Sequence, residues 1–395
     1  MQKLGKIHSL KTYLLKHDWF RVINNFKKSL SFQIIANFNK SIGRTYIPNP
    51  RNVISIEATS LCNLKCKFCA YDKRDEFSHP IKTMPVLEFK EVLNKCTDEN
   101  YKYIGLTPTT GDVFMDKNIF EKMDILEDDK KILGFDLYTN FIPIKTELIY
   151  KLFTYKKLIF LGLSIYGDDL ESFKAFADSK DSAYLALVRN LKKLNEIVMN
   201  QKVDTPIRIG HRTRKNFNLE TSNSKVSIEI KKLLKINNTD YIHTKEFNNW
   251  GGIIKDEHVS DLNINFNKDS SKKVGACALI FSRNQIGSNL DLNACACRDA
   301  NYTLKLGNLK DSSLGELLSK KNPVYSKLID DQNNGNFSKV CKSCDFYQSI
   351  YVPQGPVYSP EQLVNSKASS ESETSFRHYQ DSYISKLEDF YKIIN

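Results

Sequence analysis

Between about residue 50 and residue 250, short β-branched runs alternate with segments of helical period. This alternation restricts the fold more than any other feature of the chain. The strand-like runs are "VISIEATS" (Val53–Ser60), "YKYIGLTPTT" (Tyr101–Thr110), "ILGFDLYTN" (Ile132–Asn140), "LIFLGLSIY" (Leu158–Tyr166), "TPIRIGHRT" (Thr205–Thr213) and "DYIHTK" (Asp240–Lys245). Between them lie helical segments at Val86–Cys96, Asn118–Asp128, Lys145–Phe153, Ala183–Met199 and Ser224–Leu234. Six strand–helix alternations predict an α/β protein with a parallel sheet. Six units are too few for a closed eight-stranded barrel, so the expected form is a partial (β/α)6 barrel of the TIM type. In such sheets ligands bind at the C-terminal ends of the strands.

The first strand runs directly into "CNLKCKFC", which places Cys62, Cys66 and Cys69 at that edge. C-x3-C-x2-C is compatible with half of a zinc site, with three buried thiols, or with an iron–sulfur cluster. A structural zinc ion takes four protein ligands, and a [4Fe–4S] cube ordinarily takes four thiolates. Three thiols leave one metal position open for a substrate or cofactor. With a strand in front and Phe68 beside the last cysteine, this stretch resembles the signature of the radical S-adenosylmethionine (SAM) enzymes.

That resemblance implies a [4Fe–4S] cluster on Cys62, Cys66 and Cys69 whose unique iron binds the methionyl amine and carboxylate of SAM. Reductive cleavage of the sulfonium would then give methionine and a 5′-deoxyadenosyl radical that abstracts a substrate hydrogen. Phe68 would border the adenine. The family's Gly-Gly-Glu-Pro-like turn after the second strand has its counterpart in "TPTTGDVF", with Thr109, Thr110, Gly111 and Asp112. Asp in place of Glu and Val in place of Pro are departures from that pattern. Thr139 and Asn140 match the Thr-Asn pair ending the third strand, and Ser164 a position near the SAM ribose or carboxylate. Arg212 and Arg214 are candidates for a carboxylate contact, which guanidinium makes bidentately. Asp112, His211 and His243 are titratable groups at strand ends, and nothing in the sequence selects one as a base.

After residue 250 the texture changes. "NNWGG" (Asn248–Gly252) and the polar stretch Asp256–Lys273 are expected to be a connection, followed by Cys277, Cys295, Cys297, Cys341 and Cys344. Four of these thiols, Cys277, Cys295, Cys341 and Cys344, could close a zinc site or a second [4Fe–4S] cluster. The run Asn293–Leu318, with Cys295, Leu306–Gly307–Asn308 and Ser313–Leu314, resembles the SPASM extension of radical SAM enzymes. Five cysteines are too few for that extension's two clusters, so the shortened "twitch" form with one auxiliary [4Fe–4S] cluster is implied. Leu290 stands where the extension's hairpin usually has glycine. Spacing favours Cys295 over Cys297 as the ligand. Cys96 is expected to be a small buried hydrophobe.

Of the formal +12 charge, +9 falls in residues 1–51, where ten Lys/Arg face Asp18 alone. The remaining body is nearly balanced, so no nucleic-acid surface is expected. The expected organisation is a basic amphipathic helical arm (1–50), the barrel (51–250), the cysteine-rich domain (251–350), and a tail with a Ser/Glu-rich linker and terminal helix (351–395). Such an arm could rest on an anionic membrane, but packing on the following domain is favoured. No apolar run is long enough to span a bilayer, and the N-terminal residues, without a short apolar core or small-residue cleavage site, are not expected to act as a secretion signal. Clustered cysteines fit a reducing, cytoplasmic setting.

The expected function is therefore net oxidation of a small molecule, sugar-like by preference, with the auxiliary cluster taking the electron and a flavodoxin or ferredoxin as reductant. A peptide-modifying or sulfatase-maturing enzyme of the same family is the alternative. Epimerisation, with Cys96 or Cys297 as hydrogen donor, comes third. A non-catalytic iron–sulfur or zinc module is the reading from a different class.

Overall fold

In a computed structural model, residues 53–350 are described apart from 237–238, 245, 267–272 and 320, together with Ile34, Phe38, Ser41 and the short pieces 46–47 and 392–393. Apart from these residues, the expected N-terminal helical arm and C-terminal tail helix lie outside the described residues; Lys392–Ile393, expected in the tail helix, instead pairs antiparallel with Tyr46–Ile47. No described helix is long and apolar enough to cross a membrane.

Six parallel strands form the body of the sheet: β1 (Val53–Ile56), β2 (Tyr103–Gly105), β3 (Gly134–Thr139), β4 (Leu158–Tyr166), β5 (Ile207–Arg212) and β6 (Thr239–Thr244). The connecting helices are α1 (Val86–Asp98), α2 (Ile119–Asp128), α3 (Ile149–Leu152), α4 (Leu170–Ala177), α5 (Asp181–Asn200) and α6 (Lys225–Leu233). In α5 the buried positions Tyr184, Leu187, Val188, Leu191, Leu194 and Val198 recur at helical spacing and form one face. The expected α/β partial barrel is what forms, and it does not close.

The sheet does not stop at β1. Gln285–Ile286 pairs in parallel with Ser55–Ile56, and Asp291–Asn293 and Lys305–Asn308 continue it antiparallel. The segment Glu246–Phe247 pairs with Asn265–Phe266. These five strands are β7 (Glu246–Phe247), β8 (Asn265–Phe266), β9 (Gln285–Ile286), β10 (Asp291–Asn293) and β11 (Lys305–Asn308). The nine-stranded order is β11-β10-β9-β1-β2-β3-β4-β5-β6. The C-terminal cysteine segment thus contributes strands to the same sheet as the barrel. The stretch 248–273, expected as a plain connection, holds a 3-10 turn at Trp250–Gly252, the short helix α7 (Asp256–Val259) and strand β8.

Side-chain alternation gives the sheet two unlike faces. Ile54, Ile56, Leu137, Leu161, Leu163 and Ile209 are buried in the main hydrophobic core with the helices. On the other face Tyr103, Ile159 and Phe160 form a small separate cluster with Val53 and Tyr138. Toward the C-terminal ends that inner face stays accessible at Tyr138, Ser164, Tyr166, Gly210 and Arg212. Register puts Ser164 opposite Gly210, and Tyr166 opposite Arg212. Gly162 is opposite Tyr138, whose ring would lie 2.1 Å from a Cβ placed there. Gly162→Ala should overpack this face and lower stability by about 1–3 kcal/mol, read as a lower urea midpoint at unchanged slope.

Candidate functional site

The cysteine loop is fastened by backbone groups that would otherwise be orphaned. The last carbonyls of a helix have no partner within it, and in α4 those of Phe176 and Ala177 accept from Lys67 N (3.0 Å) and Lys65 N (3.3 Å). Leu61 O accepts from Asp112 N at 2.8 Å, bringing the second strand's loop against the first. Gly111 sits at that approach with φ +128°, and a Cβ would lie 2.8 Å from Leu61 O. Only glycine meets both demands. Lys122, fully buried, donates to Ala58 O, Met84 O and, at 2.5 Å, Asp116, so it props the same loop from below.

Within the loop, Cys69 lies close enough to raise the pKa of Cys62 and Cys66, and Cys62 that of Cys66. Burial is the largest cause for each, followed by Asp112 for Cys62 and by the neighbouring sulfurs for Cys66. Backbone N–H groups at Asn63, Leu64 and Tyr71 oppose the rise for Cys62 and Cys69. Arg212 acts the same way on Cys66 and Cys69. Among the described residues no three His, Cys, Asp or Glu side chains converge as a ready-made ion site. The donor set nonetheless fits a metal cluster in kind: one buried and two half-buried sulfurs whose ionisation burial opposes and a bound cation would favour, with amides directed at them.

Phe68 anchors the loop, meeting Tyr166 (5.1 Å), Phe247 (5.0 Å) and Phe176 (6.0 Å) edge to face. The guanidinium of Arg212 lies over the Tyr166 ring at 5.9 Å and has no carboxylate partner among the described residues. Arg214 instead pairs with Glu171 at 3.3 Å on an exposed edge. Asp112 is buried and its oxygens are taken: Phe114 N at 3.0 Å, Thr139 Oγ1 at 3.0 Å and Asn140 N at 2.6 Å all donate to it. Burial raises its pKa to about 6 against those bonds. Asn140 Nδ2 donates to Asn63 Oδ1 at 2.8 Å, tying the third strand's end to the cysteine loop. Thr110 Oγ1 accepts from the buried Arg74 at 2.6 Å.

The second set shows pairwise relations, short of a ready-made ion site among the described residues. Cys277 senses Cys344 and Cys341, burial being the main reason its pKa is pushed up to about 12. Cys295 senses Cys277 and hydrogen-bonds Cys297. That bond, then Arg283 and Arg298, hold Cys297 low, against its burial. Fully buried Gln332 links two members, accepting from Cys277 N at 2.8 Å and donating to Cys341 Sγ at 3.4 Å. Cys344 Sγ accepts from Phe346 N at 3.3 Å. The turn at Trp250–Gly252 supports the helix Lys339–Ser343, with Asn249 Nδ2 bonded to Ser343 O at 2.7 Å. Leu290 is buried at φ +70°, a backbone geometry costing a non-glycine residue about 1–2 kcal/mol.

The sequence did not single out Glu57, Arg74, His79, Tyr166 or Tyr302, all of which lie at this edge. Glu57 alone had a signal: it is the one acid in an otherwise apolar strand run, in phase with the inward-facing Val53 and Ser55. His211 and His243 are both held by hydrogen bonds. His211 bonds Gly167 O (2.8 Å) and Tyr241 Oη (3.0 Å), and His243 bonds Thr213 (2.6 Å). Cys96 is buried in the main core.

No family model and no curated protein matches the chain. Among solved structures, BtrN in complex with AdoMet and 2-DOIA is similar at 13% identity, over 77% of this chain and 96% of that one, with a TM-score of 0.48. Streptococcus suis SuiB bound to precursor peptide SuiA is similar at 17% identity over 89% and 80%, also at 0.48. The anSMEcpe enzyme with bound AdoMet is similar at 14% identity over 83% and 98%, again at 0.48. These neighbours are radical SAM enzymes. With scores below 0.5 the superpositions are loose, and the meaning of the site rests on its own residues.

His211 supplies a test of the local packing. Burial lowers its pKa from 6.5 to about 4. Below pH 6.5 the unfolded chain gains a proton that the folded chain refuses, so stability should fall from pH 6.5 toward 4. The span is worth about 3 kcal/mol. Comparing urea unfolding of wild type and His211→Gln across that window should show this slope in the wild type and its loss in the variant.

Proposed function

We propose that the chain is a radical SAM enzyme that dehydrogenates a small hydroxylated molecule. Cys62, Cys66 and Cys69 would hold a [4Fe–4S] cluster, and Cys277, Cys295, Cys341 and Cys344 an auxiliary one beside Cys297. The observation that carries this reading is the triad itself: one buried and two half-buried thiols in one loop at the C-terminal edge of a parallel sheet, their ionisation opposed by burial, beside an arginine with no carboxylate partner among the described residues. When bound, the first cluster with SAM supplies a carbon-centred radical that takes a hydrogen atom from substrate.

The chain's own residues bind and orient. Arg212, with no acid to neutralise it among the described residues, would take the SAM carboxylate, and Ser164 stands on the same inward face. Arg214 is already committed to Glu171 and would contribute only from the rim. Phe68 and Tyr166 give the adenine an aromatic border. Thr110, Gly111, Asp112, Thr139 and Asn140 form the wall on the methionyl side, with Asp112 holding the strand ends in place. Cys277, Cys295, Cys341 and Cys344 together would leave an auxiliary cluster no open position for substrate, so it would serve as an electron acceptor, which favours net oxidation. Sugar-like substrates, a flavodoxin or ferredoxin donor and a cytoplasmic setting complete the proposal.

The test is cysteine replacement on anaerobically reconstituted protein. Cys62→Ala/Cys66→Ala and, separately, Cys341→Ala/Cys344→Ala should each lose about four irons per chain relative to wild type. Undiminished iron in the first variant would remove the radical SAM reading. Undiminished iron in the second would leave those thiols to zinc or to structure.

A further inference from the structure

The chain leaves β3 through a backbone geometry that few side chains tolerate. Phe141, fully buried, sits at φ +64° directly after Thr139 and Asn140. A bulky residue in the left-handed region is unfavourable, and it persists only where the bonds around it over-determine it. On one side, Phe141 N donates to Thr139 Oγ1 at 2.9 Å. On the other, its carbonyl accepts from Asn190 of α5, 49 residues away.

Asn190 is fully buried, and both ends of its amide are turned to this loop. Nδ2 donates to Phe141 O at 2.9 Å and Ile144 O at 3.1 Å, with Ile142 O at 3.4 Å. Oδ1 accepts from Thr146 Oγ1 at 2.7 Å, and Thr146 in turn accepts from Arg189 Nε at 3.0 Å. Three carbonyls on one side and a hydroxyl donor on the other leave the amide only one orientation. Residues 141–144 belong to no helix or strand. A buried side chain therefore gives their carbonyls the partners that a backbone ladder supplies elsewhere.

The start of the loop belongs to the wall described above. Asn140 N and Thr139 Oγ1 donate to Asp112, and Asn140 Nδ2 donates to Asn63 Oδ1 beside Cys62. Asn140 Oδ1 accepts from Ile142 N at 3.0 Å. The side chain that reaches the cysteine loop is thus set by the same turn that Asn190 holds. Asn195, further along α5 and also buried, provides a contrast. Its Nδ2 bonds Leu191 O, Glu229 O and Glu229 Oε2, all within the helical layer.

We propose that Asn190 is a positioning residue for SAM. By fixing Phe141 in its left-handed geometry, it holds Thr139 and Asn140 where they wall the methionyl side of SAM, and it keeps Asn140 on Asn63. The inference rests on the radical SAM reading above and extends it to a helix residue that no motif marks. The unfavourable backbone at Phe141 makes the role specific. Without the Nδ2 donor the turn relaxes toward an ordinary φ, and Asn140 loses its place against the cysteine loop.

Two readouts on the intact, anaerobically reconstituted chain test it. In calorimetric titration with SAM, without reductant, Asn190→Leu should bind about tenfold more weakly than wild type, the scale of one lost hydrogen bond. In the absence of SAM, hydrogen exchange of that variant should quicken in peptides covering residues 139–146 and Asn63. Asn195→Leu removes a buried amide from the same helix and should leave both readouts at wild-type values, even where it lowers the urea midpoint. Unchanged SAM affinity in Asn190→Leu, or an equal loss in Asn195→Leu, would overturn the proposal. If Asn190→Leu does not fold, Thr146→Val, which removes the hydroxyl that orients the amide, decides: wild-type affinity and exchange there count against it. A wild type that binds no SAM removes the radical SAM reading and this proposal with it, whereas unchanged affinity in Asn190→Leu removes the proposal alone.

Discussion

The mouth of this sheet depends on how one loop is tied down. Residues 61–69 carry three thiols, and burying three thiols side by side is unfavourable for their ionised forms. The loop holds them there because its ends are fixed by bonds that other elements also need. The carbonyls at the end of α4 gain their missing partners from Lys65 and Lys67, and Leu61 gains Asp112 N. Gly111 is the hinge of that arrangement, since a side chain at φ +128° would strike the loop backbone. The strand ends then follow: Asp112 collects Thr139 and the Asn140 amide, and Asn140 returns to Asn63. The cost of clustering thiols is met locally by amides and Arg212, and a cation bound among them would meet the rest.

The same sheet joins both cysteine sets. Because β9 lies parallel to β1, its following turn, Gly287–Ser288, is placed beside the residue that follows β1, Glu57. Two segments separated by 231 residues therefore share one carboxylate.

Much of this was legible in advance, for definite reasons. Parallel βα units announce themselves by local periodicity, and a C-x3-C-x2-C loop after the first strand is a local pattern. The strand-end residues Asp112, Thr139 and Asn140 were found at the edge where their positions put them. What was not legible depended on distant pairing. No local signal says that Gln285–Ile286 adds to β1, or that His79 and Tyr302 stack over Glu57. The stretch "NNWGG" passed for a linker because its role, supporting the helix of Cys341, exists only across a gap of some ninety residues. Arg214 was indistinguishable from Arg212 in sequence; two residues along β5 and beyond, one guanidinium turns to the cysteines and the other to Glu171.

The most direct measurement is product analysis of the anaerobically reconstituted, dithionite-reduced protein after addition of SAM. The account predicts 5′-deoxyadenosine and methionine in equal amounts, formed by wild type and absent when Cys66 is replaced by alanine. Equal, background-level product from both proteins, with SAM also failing to perturb the reduced cluster's electron paramagnetic resonance spectrum, would contradict it.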